Sequence, residues 1–267
     1  MYRSLISLMP KAQPLLLDLY PNASVAYSLR KLRTAYSGNC IRVRRSSDNT
    51  EQNIGFVGNE LDTASLLTFC GAGNGFVTTW YDHSGIGRNG IQTTAANQAQ
   101  IVSNGSLIID PDNGRLSTLW TNDRYGTGFY SLNANNLVSS VYVGNRVSGN
   151  IISFGSSNNQ QANSFRWLSN NNLSSFGTAT NGTSSLTGDF IAFTQRLGNS
   201  DVNMWINNVQ QTSGISTINT GPNFFGNSDN TIFNNGYFQE GILWNGNDQS
   251  SNRTAIETNI NNYYGIY

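Results

Sequence analysis

The chain has 267 residues, enough for one large β domain or two small domains. Only 11% of residues are charged, against roughly 25% in typical soluble domains, and the formal net charge is zero. That balance excludes a highly charged disordered chain, and no stretch approaches the roughly 20 apolar residues of a membrane-spanning helix, so no membrane partner is expected. Asn, Ser, Thr and Gly fill the space that charges leave. They suit turns and polar strand faces and make poor helix interiors, so the composition predicts an all-β protein.

Residues 1–21 hold Pro10, Pro14 and Pro21 and read as an extended N-terminal arm, set apart from a single domain over 22–267. The start lacks a small-residue cleavage site and a long apolar run, so a protein made in a cytoplasm is expected. "ASVAYSLRKL" (23–32) has apolar residues at helical spacing and predicts a short helix. "NCIRVRRSS" (39–47) alternates Ile41 and Val43 with Arg42 and Arg44, the pattern of a strand with one wet side. "LDTASLLTFC" (61–70) predicts a helix capped by Asp62 or Thr63, and "GFVTTWYD" (75–82) a strand. Beyond residue 90, short strands are expected at 98–103, 106–110, 127–132, 137–143, 150–155, 163–168, 188–196, 201–207, 222–226 and 235–244, with turns at Gly198–Asn199 and Asn207–Asn208. Ile256, Ile260 and Tyr263 follow helical spacing and predict one terminal helix over 250–263. Many short strands between Asn/Gly/Ser clusters indicate a sandwich or jelly roll.

The basic first fifth of the chain (Arg3, Lys11, Arg30, Lys31, Arg33, Arg42, Arg44, Arg45) lacks the aromatic and glycine spacing of a nucleic-acid module, so nucleic acid is not an expected partner. Neither Cys40 nor Cys70 has metal-ligand spacing around it, and one histidine cannot build a His cluster. No loop stands out with calcium-ligand spacing. No metal site can be named and no cofactor is expected, although calcium held by Asp and Asn side chains stays open, and no disulfide is expected between the two cysteines. In "TTWYDHSGIGRNG" (78–90), Asp82 is expected to accept backbone N–H groups across the Gly85–Gly87 turn, with His83 structural.

Several blocks resemble the catalytic domain of B-type α-L-arabinofuranosidases, glycoside hydrolase family 54. They are "AYSGNCIRVRRSSDNTEQNIGF", "FVTTWYDHSGIGRNGIQTT" and "GNSDNTIFNNGYFQEGILWNG". The ending "GYFQEGILWNG…AIETNINNYYG" is also similar to laminin-G-like, concanavalin A-like domains. Both resemblances imply a concanavalin A-like β-sandwich, a jelly roll with short helices. The first assigns the acid/base role to Asp229 and a nucleophilic glutamate to the stretch 165–177, where this chain has Asn170, Asn171 and Asn172. An adjacent Cys–Cys pair of that family has its counterpart near "GNIISFG" (149–155), which lacks cysteine. An amide cannot form the glycosyl-enzyme bond, so a non-enzyme is expected, with Asp229 a relic of the site. An inverting route would instead pair Asp229 with Glu240 or Asp189.

The run "AYSLRKLRTAY" into "WYDHSG" is similar to fibre, spike and capsid-associated proteins of tailed bacteriophages. That resemblance implies a virion structural protein assembled in the host bacterial cytoplasm. It would dock onto other virion proteins through residues 1–21, associate as a homo-oligomer (a trimer, as fibres and spikes commonly are), and bind a host-surface glycan. Trp167, Asn171 and Asp229 are the candidate ligand-binding residues, and Trp120, Trp205 and Trp244 could add stacking faces. The alternative is a glycoside hydrolase of the secreted type acting on α-L-arabinofuranosides.

Overall fold

The computed structural model describes residues 14–121, 124–126, 137–149, 151–152, 154–156, 166–167, 172–175, 178–181, 188–197, 201–211, 223–226 and 234–267. They form an antiparallel β-sandwich with helical cover, as composition and turn spacing predict. The central strand is Asn234–Asn245, paired with Val138–Gly149, Thr118–Thr121 and Val25–Ser28. Val138–Gly149 continues to Gly188–Leu197 and then Asp201–Ile206. On the other side, Thr118–Thr121 leads through Gln100–Ser103 to Gly75–Trp80, which carries Ile41–Arg45 along its edge.

Period-two alternation sorts these strands into two cores. Val138 and Tyr142, Phe190 and Ala192, and Phe238 and Leu243 face an inner core with Trp80, Trp120 and Tyr125. Their neighbours Val141 and Val143, Ile191 and Phe193, and Ile242 and Trp244 face an outer core with Ile256, Ile260 and Tyr264 of the Arg253–Tyr264 helix. Both strand faces are therefore buried. This accounts for the nearly unbroken apolar runs "FIAF" and "ILW", where a half-wet strand would alternate. Each large side chain so buried contributes roughly 1.5–3 kcal/mol.

The Leu16–Leu19 helix closes the outer core with Leu16 and Leu17, and Leu17 N–H donates to the Leu32 carbonyl. The Trp244 indole N–H donates to the Tyr20 carbonyl. Helix Thr63–Cys70 starts as predicted: the Asp62 carboxylate accepts from Ser65 N–H at 3.0 Å. Asn207 and Asn208 both sit at positive φ (50° and 63°), the geometry of a tight two-residue hairpin turn. Cys40 and Cys70 are buried free thiols. No described helix is long and apolar enough to cross a membrane.

Two expectations need correction. Residues 14–21 do not stand apart as an extended arm: Leu16–Leu19 is helical and Leu16 and Leu17 are buried in the outer core. Residues 25–28 form a strand, not part of a helix over 23–32. Val25 and Tyr27 face the inner core while Ala26 faces the outer core, and the segment pairs with 240–243 of the central strand. Pairing with a partner over 200 residues away overrides a local helical pattern (Ser28 Oγ to Glu240 spans |i−j| = 212). The strand Thr118–Thr121 was not foreseen either. The strand expected at 127–132 and the turn at Gly198–Asn199 lie outside the described residues.

Candidate functional site

The residues proposed from sequence do not assemble into a visible site. Asp229 and Asn171, with Asn170, lie outside the described residues. Trp167 belongs to the strand Arg166–Trp167, paired with Ile151–Ile152 and with Leu173 of Asn172–Ser175, and its side chain also lies outside the description. Two tryptophans offered as stacking faces are core residues: Trp120 and Trp244 are buried. Trp205 packs on the outer core beneath the Arg253 guanidinium, 4.7 Å from the ring centroid.

Glu240 is fully buried and held by a bidentate ion pair, with Arg30 Nε at 2.7 Å and Nη2 at 3.0 Å. Ser28 Oγ and the Tyr264 hydroxyl also donate to it. Three of these donors converge on Oε2 and one on Oε1, and the carboxylate has no exposed surface, so its role is to tie the first strand and last helix to the central strand. This removes Glu240 as the base of an inverting route.

The Asp82 turn is built as its sequence predicts. Asp82 Oδ1 accepts from Ala26 N–H and Ser84 N–H, both at 2.9 Å. Oδ2 accepts from Ser84 Oγ, Gly87 N–H and Arg88 N–H. His83 is buried beside the rings of Tyr36 (4.8 Å) and Phe56 (5.3 Å), with neither ring nitrogen hydrogen-bonded. Burial, and secondarily the charge of Lys31, pushes its pKa down to about 3, so the ring is neutral across ordinary pH.

A second acidic turn carries "DPDNG" (110–114). Asp110 is fully buried, Asp112 exposed and Asp189 half-buried, and one carboxylate oxygen from each lies within 4.8 Å of the other two. Asp189 enters through strand register: it stands opposite Asn145, whose amide donates to Asp110 Oδ1 and Asp112 Oδ2, both at 2.9 Å. Asn113 and Gln239 exchange amide hydrogen bonds and pin the turn to the central strand. Burial, then the charges of Asp110 and Asp112, raise the Asp189 pKa to about 8. The separation falls near that of paired glycosidase carboxylates, roughly 5–5.5 Å in retaining enzymes. Burial argues against that use, because Asp110 has no exposed surface for a sugar to reach. The sequence signal for this cluster was Asp110-Pro111-Asp112, two acids one residue apart before a glycine turn. Its third member, Asp189, was unpredictable without the register.

An open cleft of about 380 Å³ between the Leu16–Ala23 segment and the Asp82 turn is lined by Asn22, Ser24, Arg33, Ser84 and Ile86 among others, with no carboxylate among its described lining residues.

Residues 20–136 match the family model described as "Alpha-L-arabinofuranosidase B, catalytic". No curated protein matches the sequence. Among solved structures, an arabinofuranosidase complexed with arabinofuranosyl-α-1,2-xylobiose shares 16% identity at a TM-score of 0.70, covering 89% of this chain and 62% of that one. A variant glycoside hydrolase family 54 α-L-arabinofuranosidase soaked with 4-nitrophenyl α-L-arabinofuranoside shares 17% identity at a TM-score of 0.71, with the same coverage. At such identity the likeness is one of fold, and the chain spans about 62% of the length of those structures.

These findings correct the sequence reading. The virion role (fibre, spike, capsid or host attachment) has no support, and neither does the expectation of a non-enzyme. That expectation weighed the amides at 170–172 above the framework around them. The framework is what the comparisons recover: a β-sandwich of the kind seen in glycoside hydrolase family 54 structures, with the arabinofuranosidase B catalytic signature across residues 20–136.

Proposed function

We propose that this chain is a glycoside hydrolase domain that cleaves α-L-arabinofuranosides. The observation that carries the reading is the arabinofuranosidase B match over residues 20–136, on a sandwich whose likeness to family 54 structures extends over 89% of the chain. Hydrolysis of such a bond needs a carboxylic acid to protonate the leaving oxygen while the sugar carbon takes on oxocarbenium character. The family resemblance assigns that role to Asp229. Glu240, eleven residues on (240 − 229), is held by Arg30 and is not the second carboxylate.

The test is release of 4-nitrophenol from 4-nitrophenyl α-L-arabinofuranoside by the purified protein, beside an Asp229→Asn variant. Turnover is expected in the parent, falling in the variant by about 10²–10⁴-fold, the usual contribution of general acid catalysis. No release, or equal release from both proteins, overturns the proposal. The anomer first released, followed by NMR, identifies the attacking group. Retention requires a carboxylate other than the amides at 170–172, and inversion requires water.

A further inference from the structure

We propose that Asp110, Asp112 and Asp189 form a calcium site that staples the 110–114 turn to the strand Gly188–Leu197. The inference is independent of the hydrolase reading. Two carboxylate oxygens of the cluster, Asp110 Oδ2 and Asp189 Oδ1, are buried and meet no N–H or hydroxyl donor, so that only a proton shared between the two acids or a bound cation can satisfy them. Asp110 itself is fully buried. A buried carboxylate oxygen without a donor is costly, and three carboxylates facing one point repel one another. Among the described residues one amide, Asn145, serves the cluster, and its strongest hydrogen bonds go to Asp110 Oδ1 and Asp112 Oδ2. When all three acids are ionised, a cation among those oxygens relieves both costs at once.

The backbone also makes room for it. Gly188 has φ +92°, and a Cβ placed there would stand 2.8 Å from Asp112 Oδ2. A side chain at 188 would therefore push Asp112 out of the cluster. The Asx-type bond from Asp112 N–H to Asp110 Oδ1 (3.1 Å) holds both acids of the turn on the same side.

Donor chemistry selects the ion. Every ligand atom is a carboxylate oxygen, the choice of hard cations, and no sulfur or imidazole takes part. Calcium takes six to eight oxygens at about 2.3–2.6 Å in adaptable geometry, whereas magnesium demands a near-ideal octahedron and sheds water reluctantly. Three carboxylates from two separate segments, with the exposed Asp112 side open to water, suit the adaptable ion.

The experiment uses the full chain, stripped with chelator and returned to buffer at neutral pH. Thermal unfolding is followed as calcium chloride is raised to about 5 mM, above the ~10⁻⁴–10⁻³ M affinities typical of extracellular calcium modules. A saturable rise in Tm of several degrees is expected, with heat of binding at a stoichiometry of one by calorimetry. Asp189→Asn should lose the response. Asp112→Asn, a change at an exposed position that leaves the fold intact, should weaken it at least tenfold in calcium concentration. No rise in Tm, an equal rise with magnesium or ionic-strength-matched sodium chloride, or an undiminished response in Asp112→Asn would each overturn the site.

Discussion

Two turns in this molecule gather buried carboxylates and treat them in opposite ways. Asp82 is surrounded by donors: four backbone N–H groups and one hydroxyl converge on its two oxygens. Asp110 and Asp189 are surrounded by other acids, with one described amide beside them and an oxygen on each that meets no N–H or hydroxyl donor. Charge burial is tolerable in the first case because the dipoles come with the fold, and in the second only if a cation or a proton arrives from outside. The first turn is self-sufficient, whereas the second depends on the solution around it.

The largest expected effect tests the self-sufficient turn. Asp82→Ala strips four backbone donors of their acceptor and should cost about 3–5 kcal/mol in urea unfolding, with or without calcium. If calcium rescues that variant, the two turns are not independent. The next effect is a dependence on pH beside the same turn. The His83 pKa is lowered in the folded state to about 3, against 6.5 for the free side chain. The unfolded chain therefore takes up a proton that the folded chain refuses. Stability is unaffected by this group above about pH 6.5 and falls as pH drops from there toward 3, by about 1.4 kcal/mol per unit. His83→Phe should flatten that slope in acid unfolding curves, while an unchanged slope would place the sensitivity elsewhere.

Two glycines give a smaller and matched comparison. Gly87 and Gly188 have φ of +86° and +92°, so alanine at either should cost about 1–2 kcal/mol of backbone strain. A Cβ at Gly87 meets nothing within 4 Å, whereas at Gly188 it meets Asp112. Only Gly188→Ala should therefore also blunt the calcium response measured by Tm. The smallest effect has the opposite sign. In chelator above about pH 8, where Asp189 is ionised, Asp189→Asn removes one of three crowded negative charges and should stabilise the fold by up to about 1 kcal/mol, where Asp82→Ala destabilises it severely.

The two turns also differ in what the sequence discloses. The Asp82 turn is local grammar: its acceptor reaches residues two, five and six places on, and Ser84, Gly85 and Gly87 are visible beside it. The helix at 63–70 and the terminal helix were legible for the same reason, through a cap at Asp62 and a period at Ile256 and Ile260. The Asp110–Asp189 cluster depends on which residue of one strand faces which residue of another, and Asp189 reaches it only through its pairing with Asn145. Glu240 was misjudged for the same reason. Nothing near it in sequence announces Arg30, yet that partner decides whether it is chemistry or architecture. The strand at 25–28 was read as helix because Val25, Ala26 and Tyr27 are all buried, and a segment buried on both faces loses the alternation that marks a strand.

The central strand has a further consequence in time. Val25–Ser28 finds its partner only in residues 240–243, and Asn234–Asn245 is also what joins Thr118–Thr121 to Val138–Gly149. As a ribosome delivers the chain, Ile41–Arg45 can pair early with Gly75–Trp80, and Gly75–Trp80 with Gln100–Ser103, but Val25–Ser28 has no strand partner until residues 240–243 have appeared. The two halves of the sheet are therefore joined only once Asn234–Asn245 is available, and long-range pairing of this kind slows folding and leaves strand edges open meanwhile.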